Sequence, residues 1–314
     1  MRWGQFAALV AGTAALTWML SAVGWSGIVH AAVLGGPALP AALLIHAGQL
    51  LLAGLAWRAA IGVPALSRLF VARVRWIREG VNTMLPAAHI GGQVIGVRLL
   101  VNAGATPVRA VVGTILDLTV EALAQLVVVV AAVGLLLVMQ DGQRAWLFWA
   151  GAGLGGLGLT VGLILIALRL GVLRAIEAGL QRMASRWPGT RGWSMSGLHA
   201  MLVERQADRG AMLRSMLFSV ASWSLGTLEV WVILRALGTE PRLEVCFVIE
   251  SLAMAARSAG FAIPGAVGVQ EGGFVLACGL FGIGAETALA LSVLKRLREL
   301  IVGGGALLAW QFAR

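Results

Sequence analysis

A chain of 314 residues that is 59% hydrophobic and only 12% charged, with a mean hydropathy of +0.89, carries too little charge to cover a soluble fold of that size. Several of its apolar runs reach the roughly 20 residues that a helix needs to cross a bilayer core of about 30 Å, and the short alternating segments of a β-barrel are absent, so the fold class is an all-α polytopic membrane protein. The net charge of +10 comes almost wholly from arginine, Lys295 being the only lysine; with no basic and aromatic recognition module beside it, it indicates positive-inside topology and anionic lipid headgroups and excludes nucleic acid as a partner.

In chain order, Arg2 and the apolar run Phe6–Leu20 look like the start of a signal peptide. The run continues through Ser21, Ala22 and Val23 without a small-residue cleavage pattern, so a retained first span over about 5–25 is expected. A second span covers about 38–57, and the loop after it holds Arg58, Arg68, Arg73, Arg75 and Arg78 before the first acid, Glu79, which places loop and N-terminus in the cytoplasm. Residues 79–105 are apolar but broken by Pro86, Gly91, Gly92 and Gly96, and they include Asn82, His89, Gln93 and Arg98. A span at about 109–139 ends in the polar turn Gln140–Arg144, and another at about 145–168 carries a glycine face suited to close packing. The polar segment 169–213 is arginine-rich and expected in the cytoplasm; its stripe Leu173, Ile176, Leu180, Met183 and Trp187 fits either a helix on the inner membrane surface or one packed on its own protein. A span at 214–237, an external loop 238–244, a second broken segment 245–282 and a last helix 285–311 complete the chain.

Parity then makes both broken segments re-entrant, each entering and leaving on one side. The expected architecture is a single membrane domain, 1–314, of about six full transmembrane helices plus two re-entrant hairpins. It forms an inverted repeat with halves at about 1–139 and 145–314, a cytoplasmic amphipathic linker at 169–213, and both termini in the cytoplasm. One constant offset carries Pro86 onto Pro264, Gly104 onto Gly282, Asp117 onto Lys295 and Glu121 onto Glu299. Inverted repeats with paired discontinuous helices place a binding site at their interface.

The chemistry concentrates in the second broken segment. Pro264 to Gly273 runs through glycines around Glu271, where two half-helix ends can hold a charged head group. The plainer alternative is a packing kink with Glu271 satisfied by an arginine; intramembrane acids are costly, which favours function. Lys295 and Glu299 lie one turn apart, as do Asp117 and Glu121; internal ion pairing explains part of this but leaves Arg296 and Arg298 unmatched. The candidate substrate-binding residues are Pro86, Gln93, Asp117 and Glu121 from the first half. The second half adds Arg257, Pro264, Gly268, Gln270 and Glu271, then Lys295, Arg298 and Glu299. Asp117 is expected to meet Lys295, and Glu121 to meet Glu299, near the pseudo-two-fold axis, with Glu271 and Arg257 facing an amphipathic cavity and Glu271→Gln abolishing transport in an intact fold. His46 and His89 fit hydrogen-bonded helix packing, and Cys246 and Cys278 inert packing. With no HxxxH, no His/Cys/Asp cluster, no GxxxxGK and no GxSxG, neither metal nor cofactor is expected.

The run AIPGAVGVQEGGF followed by ALALSVLKRLRELIVG resembles the flippase-like integral membrane family, which includes the transmembrane region of lysylphosphatidylglycerol synthases and the hopanoid biosynthesis-associated membrane proteins. REGVNTMLPAAHIGGQVIGVRLL is similar to that family's first conserved segment, so the likeness spans about 65–311, and the QEGGF and LKRLRE wording is closest to the hopanoid-associated branch. The resemblance implies movement or handling of a lipid in the bacterial inner membrane, a hopanoid or an anionic or aminoacylated phospholipid, with Arg257, Glu271 and the Lys295–Glu299 stretch as the matching polar positions. The chain ends three residues after its last expected helix residue, so a soluble aminoacyl-transfer domain and its activity are not expected. Two other readings stay open: a membrane-embedded enzyme with Glu271 as acid or base, and a non-transporting scaffold of a lipid-biosynthesis complex. Expected partners are membrane lipids, with a homo-oligomer or lipid-biosynthesis proteins beside them.

Overall fold

A computed structural model of the chain describes residues 33–84, 91–139, 196–260 and 266–312, together with Gly162. The elements are α1 (Leu39–Ile61), preceded by the 3-10 turn Gly36–Ala38, then α2 (Arg68–Met84), α3 (Gly91–Asn102), α4 (Pro107–Met139) and α5 (Leu198–Ala207). They continue as α6 (Arg209–Ala236), α7 (Leu243–Ala259), α8 (Val269–Gly279) and α9 (Ala285–Gln311). No strand occurs among the described residues. Pro37 and Pro40 sit in first turns, where a missing N–H leaves no bond unmade. At its other end α1 closes on Gly62, whose φ of 66° a side chain would strain and whose N–H bonds the Arg58 carbonyl.

Among the described residues, three stretches are long and apolar enough to cross a membrane: Val33–Ile61, Pro107–Met139 and Arg209–Ala236. The molecule is a multi-pass membrane protein. α9, at 27 residues, has the length as well but carries the charges of Lys295 to Glu299 at its middle. The expected spans at 38–57, 109–139, 214–237 and 285–311 fall on α1, α4, α6 and α9. The expected spans at 5–25 and 145–168 (Gly162 apart), the stripe at 173–187, His89, Pro86 and Pro264 lie outside the described residues.

Each broken segment is a pair of short helices, α2 with α3 and α7 with α8. α2 begins well before the expected boundary at 79, because its buried face runs through Val71, Val74, Arg75, Ile77, Arg78 and Val81. This corrects the loop reading of that stretch. Arg75 and Arg78 are only 4% and 1% exposed and belong to the interior, where ion pairs replace the water an arginine normally keeps.

The constant offset carries the helix start at Gly91 onto Val269 and that at Pro107 onto Ala285. The turns before those long helices share backbone hydrogen bonds. Ala105 N–H donates to Leu100 C=O as Ile283 N–H does to Cys278 C=O, and Gly104 and Gly282 both adopt positive φ, 99° and 71°.

Buried apolar side chains gather in clusters, two of them large. One gathers Trp57, Ile61, Val74, Ile77, Leu100 and Leu116, closed over by Leu198 and Leu202 of α5. The other gathers Ile233, Ile249, Phe274, Leu291 and Leu294. α1 and α6 pack side by side, α9 packs on α2, and α4 packs on α7, so the last helix of each half reaches into the other.

α5 is tied down at its end. Arg205 donates to the C-terminal carbonyls of α1, Ala60 at 3.2 Å and Ala59 at 2.8 Å, and pairs with Asp208 at 3.1 Å. Asp208 in turn accepts from Ala211 N–H at the start of α6, and this bond holds its carboxyl below the usual carboxylate range. This part of 169–213 therefore packs on its own protein.

Where α2 crosses α9, a side chain at Gly80 would overlap the Ala306 methyl and stand 3.1 Å from the Gly303 carbonyl. Gly80→Val is expected to push the helices apart at a cost of about 1–3 kcal/mol, read as a lower melting temperature in detergent; an unchanged melt would contradict the close crossing.

Candidate functional site

Between the two cores lies a layer of buried charge. On α2, Arg75 and Arg78 share one face, as residues three apart on a helix do. Asp117 and Glu121, one turn apart on α4, receive them: Arg75 donates to Asp117 Oδ2 at 2.9 Å and Glu121 Oε1 at 2.7 Å, and Arg78 to Asp117 Oδ2 at 2.7 Å. The Arg78 guanidinium lies 4.7 Å above the Trp57 ring, a contact strengthened by desolvation. Glu79 is the least engaged acid, 3.8 Å from Arg75 with a side chain 40% exposed.

The second cluster centres on Lys295, which donates to both Glu250 oxygens at 2.8 Å and stands 3.5 Å from Glu229 Oε2. Arg298 donates to Glu229 Oε1 at 2.9 Å, and its Nη1 stands 2.8 Å from His46 Nδ1. His46 also meets Gln49 at 2.7 Å, which gives it the hydrogen-bonded packing role expected of it. Gly226 makes the room: a Cβ there would come within 2.6 Å of the Glu250 carboxylate.

The third cluster closes the layer at α8. Arg257 donates to Gln270 Oε1 at 2.6 Å and to Glu299 Oε1. Arg296 pairs with Glu271 at 2.9 Å and with Glu299 at 3.4 Å. The other oxygen of Glu271 accepts from Gly268 N–H at 2.7 Å, just ahead of α8, the place where helix N-terminal N–H groups favour an anion.

An unpaired charge at mid-bilayer costs about 2.5–3.5 kcal/mol on insertion scales, and here each of these cations meets an acid. The signs are also sorted. α2 and α9, packed on each other, supply Arg75, Arg78, Lys295, Arg296 and Arg298. The contiguous wall opposite, from α4, α6, α7 and α8, supplies Asp117, Glu121, Glu229, Glu250 and Glu271. Glu79 and Glu299 on the first wall and Arg257 on the second run the other way.

The walls enclose a cavity of about 460 Å³, within the range of small-molecule sites. Asp117, Glu121, Gln93, Arg257, Arg298 and Glu299, all expected from the sequence, line it. Lys295, Gln270 and Glu271 do not; they act on lining groups, Lys295 through Glu229 and Glu250, Gln270 through Arg257, and Glu271 through Arg296 and Glu299. Gly268 precedes α8 with φ 82°. The expected pairs are corrected: Asp117 meets Arg75 and Arg78 instead of Lys295, and Glu299 meets Arg257 and Arg296 instead of Glu121. Arginine's long fork reaches from α2 to α4, and Lys295 finds two acids on α6 and α7.

Sequence reasoning missed Arg75, Arg78, Glu229 and Glu250. The signal for the two glutamates was present, since an acid inside an apolar span marks a site on its own. The arginines were masked by their neighbours Arg68 and Arg73, which are exposed.

A family model described as Lysylphosphatidylglycerol synthase TM region matches residues 5–305 of the chain. No curated protein and no solved structure matches it.

Proposed function

Because the chain belongs to the lysylphosphatidylglycerol synthase TM region family, we propose that it is a lipid transporter or flippase whose ion-pair layer passes the polar head group. The observation that carries this is a charge-lined cavity of about 460 Å³ set among helices long and apolar enough to span a membrane. A head group crosses hydrocarbon only along a polar path, and transporters hold such paths between repeat halves. The substrate is a hopanoid or an anionic or aminoacylated phospholipid of the bacterial inner membrane, moved without chemical change. The protein works alone, as a homo-oligomer or beside lipid-biosynthesis proteins.

In this reading six full spans and two re-entrant hairpins form the inverted repeat, with both termini cytoplasmic. The hairpins are α2–α3 and α7–α8, whose helices of 17, 12, 17 and 11 residues are each shorter than the roughly 20 needed to cross. The matching turns at Gly104 and Gly282 support the repeat. Gln140→Cys is expected to react with an impermeant maleimide only from outside intact cells; labelling from the cytoplasm alone contradicts this topology.

The function is tested by lipidomics of each leaflet in a deletion strain. A transporter's loss changes sidedness and leaves lipid chemistry alone; a changed lipid chemistry identifies an enzyme, and no change in either leaves the scaffold reading.

A further inference from the structure

A second hollow, apart from the charge-lined cavity, lies where the first turns of α2, the last turn of α3 and the end of α9 meet. It measures about 310 Å³ and shares no lining residue with the larger cavity. Phe70, Val74, Ile77, Leu99, Ala103 and Phe312 give it apolar walls, and Arg73 and Asn102 supply its polar groups. Trp310 and Phe312 stand at the end of α9, and aromatic residues at a helix end mark the level of the bilayer interface.

The charge around this hollow has one sign. Arg68 and Arg73 on α2 and Arg98 on α3 are exposed, and none of the three has an ion pair among the described residues. The one hydrogen bond of the Arg73 side chain there is a long one, from Nη2 to the Ala309 carbonyl at 3.4 Å, which leaves Nε and Nη1 free to donate. The first acid on α2 is Glu79, α3 has none, and α9 has none after Glu299. Glu299 lies about 15 Å along the helix from Ala309 and is held by Arg257 and Arg296.

We propose that this hollow holds an anionic phospholipid as a resident of the structure, separate from any lipid moved through the charged cavity. Its phosphate meets Arg73, with the Asn102 amide as a second donor. One acyl chain runs inward past Val74 to Ile77, a turn deeper along α2, and Leu99, while Phe70 and Phe312 flank the mouth. An anionic head is favoured over a zwitterionic one because no acid stands by to receive a choline or ethanolamine cation, and Arg68 adds positive charge on the same helix. A lipid is favoured over a soluble anion because the anion alone leaves the apolar walls uncovered. The lipid seals the seam between the α2–α3 pair and α9.

The test is thermal melting of the purified full chain, washed free of lipid in a maltoside detergent and titrated with dioleoyl phosphatidylglycerol or dioleoyl phosphatidylcholine. Phosphatidylglycerol is expected to raise the melting temperature at concentrations roughly tenfold lower than phosphatidylcholine. Arg73→Gln is expected to shrink that preference to less than about threefold. Ala103→Trp fills the hollow and is expected to abolish the response to phosphatidylglycerol; if that variant does not fold, Arg73→Gln, at an exposed position, decides. Arg235→Gln, at an exposed arginine near the end of α6, is expected to keep the wild-type preference. An equal response to the two lipids overturns the proposal, as does glycerol 3-phosphate stabilising the chain as well as phosphatidylglycerol does. A preference lost as fully in Arg235→Gln as in Arg73→Gln assigns the effect to overall charge and overturns it too. If neither lipid shifts the melt, the lipid extracted from the washed protein decides: an anionic phospholipid retained by the wild type and lost from Arg73→Gln supports the proposal, and any other result overturns it. The transport reading stands or falls apart from these outcomes, because the hollow and the charged cavity share no residue.

Discussion

Lys295→Met is expected to be the most damaging single substitution in the polar layer. Lys295 is 1% exposed and its ammonium stands between two carboxylates, 2.8 Å from Glu250 and 3.5 Å from Glu229. Methionine fills a similar volume, so the loss is electrostatic: two acids are left facing each other with only Arg298, bound to Glu229, to answer them. Breaking a buried pair by removing one partner costs about 3–5 kcal/mol, a large part of the roughly 5–15 kcal/mol by which most domains are stable. The expected reading is a loss of folded protein in detergent, measured by thermal melting and size-exclusion chromatography. Adding Glu250→Gln removes the second charge and is expected to restore most of the loss. A fully stable Lys295→Met protein would show that Glu250 and Glu229 have reached water and that this part of the layer is not closed.

Asp117→Asn carries the second large effect. A single carboxylate oxygen accepts from both Arg75 and Arg78, and both guanidiniums are buried with Glu121 as their other acid within 4 Å apart from the half-exposed Glu79. Asparagine keeps the shape and removes the charge, so two cations then share Glu121, at an expected cost of about 3 kcal/mol or more. The pairing can be shown directly by a double-mutant cycle. Asp117→Asn combined with Arg78→Met is expected to be less unstable than the sum of the two changes. Asp117→Asn combined with Lys295→Met is expected to be simply additive, because those residues answer to different partners. Coupling between Asp117 and Lys295 instead would restore the direct contact that repeat symmetry alone predicts and contradict the arrangement described here.

Much of the fold was legible because its causes are local. Apolar runs of spanning length mark α1, α4 and α6, whatever the rest of the chain does. The offset between the halves was legible for the same reason: Gly104 and Gly282 hold equivalent turns that need positive φ, and glycine leaves a trace of that need in the sequence. Costly ionisable residues in apolar sequence pointed to Asp117, Glu121, Arg257, Arg298 and Glu299, all of which line the cavity.

Partnership was not legible. Five arginines between Arg58 and Arg78 look alike in sequence, yet Arg68 and Arg73 are exposed and Arg75 and Arg78 are buried. The difference is that α2 turns one face toward Asp117 on a helix some forty residues later. Glu271 shows the same limit from the other side. Its place among glycines made it the presumed ligand, and the fold sets it against Arg296 and the Gly268 N–H instead. The sequence by itself determined that this protein is helical, lives in a membrane, and spends charge where charge is expensive. Only the tertiary structure decided which charges meet, because a salt bridge depends on which helix faces land within about 4 Å of each other, and that distance is set by the packing of α1 on α6, α9 on α2 and α4 on α7.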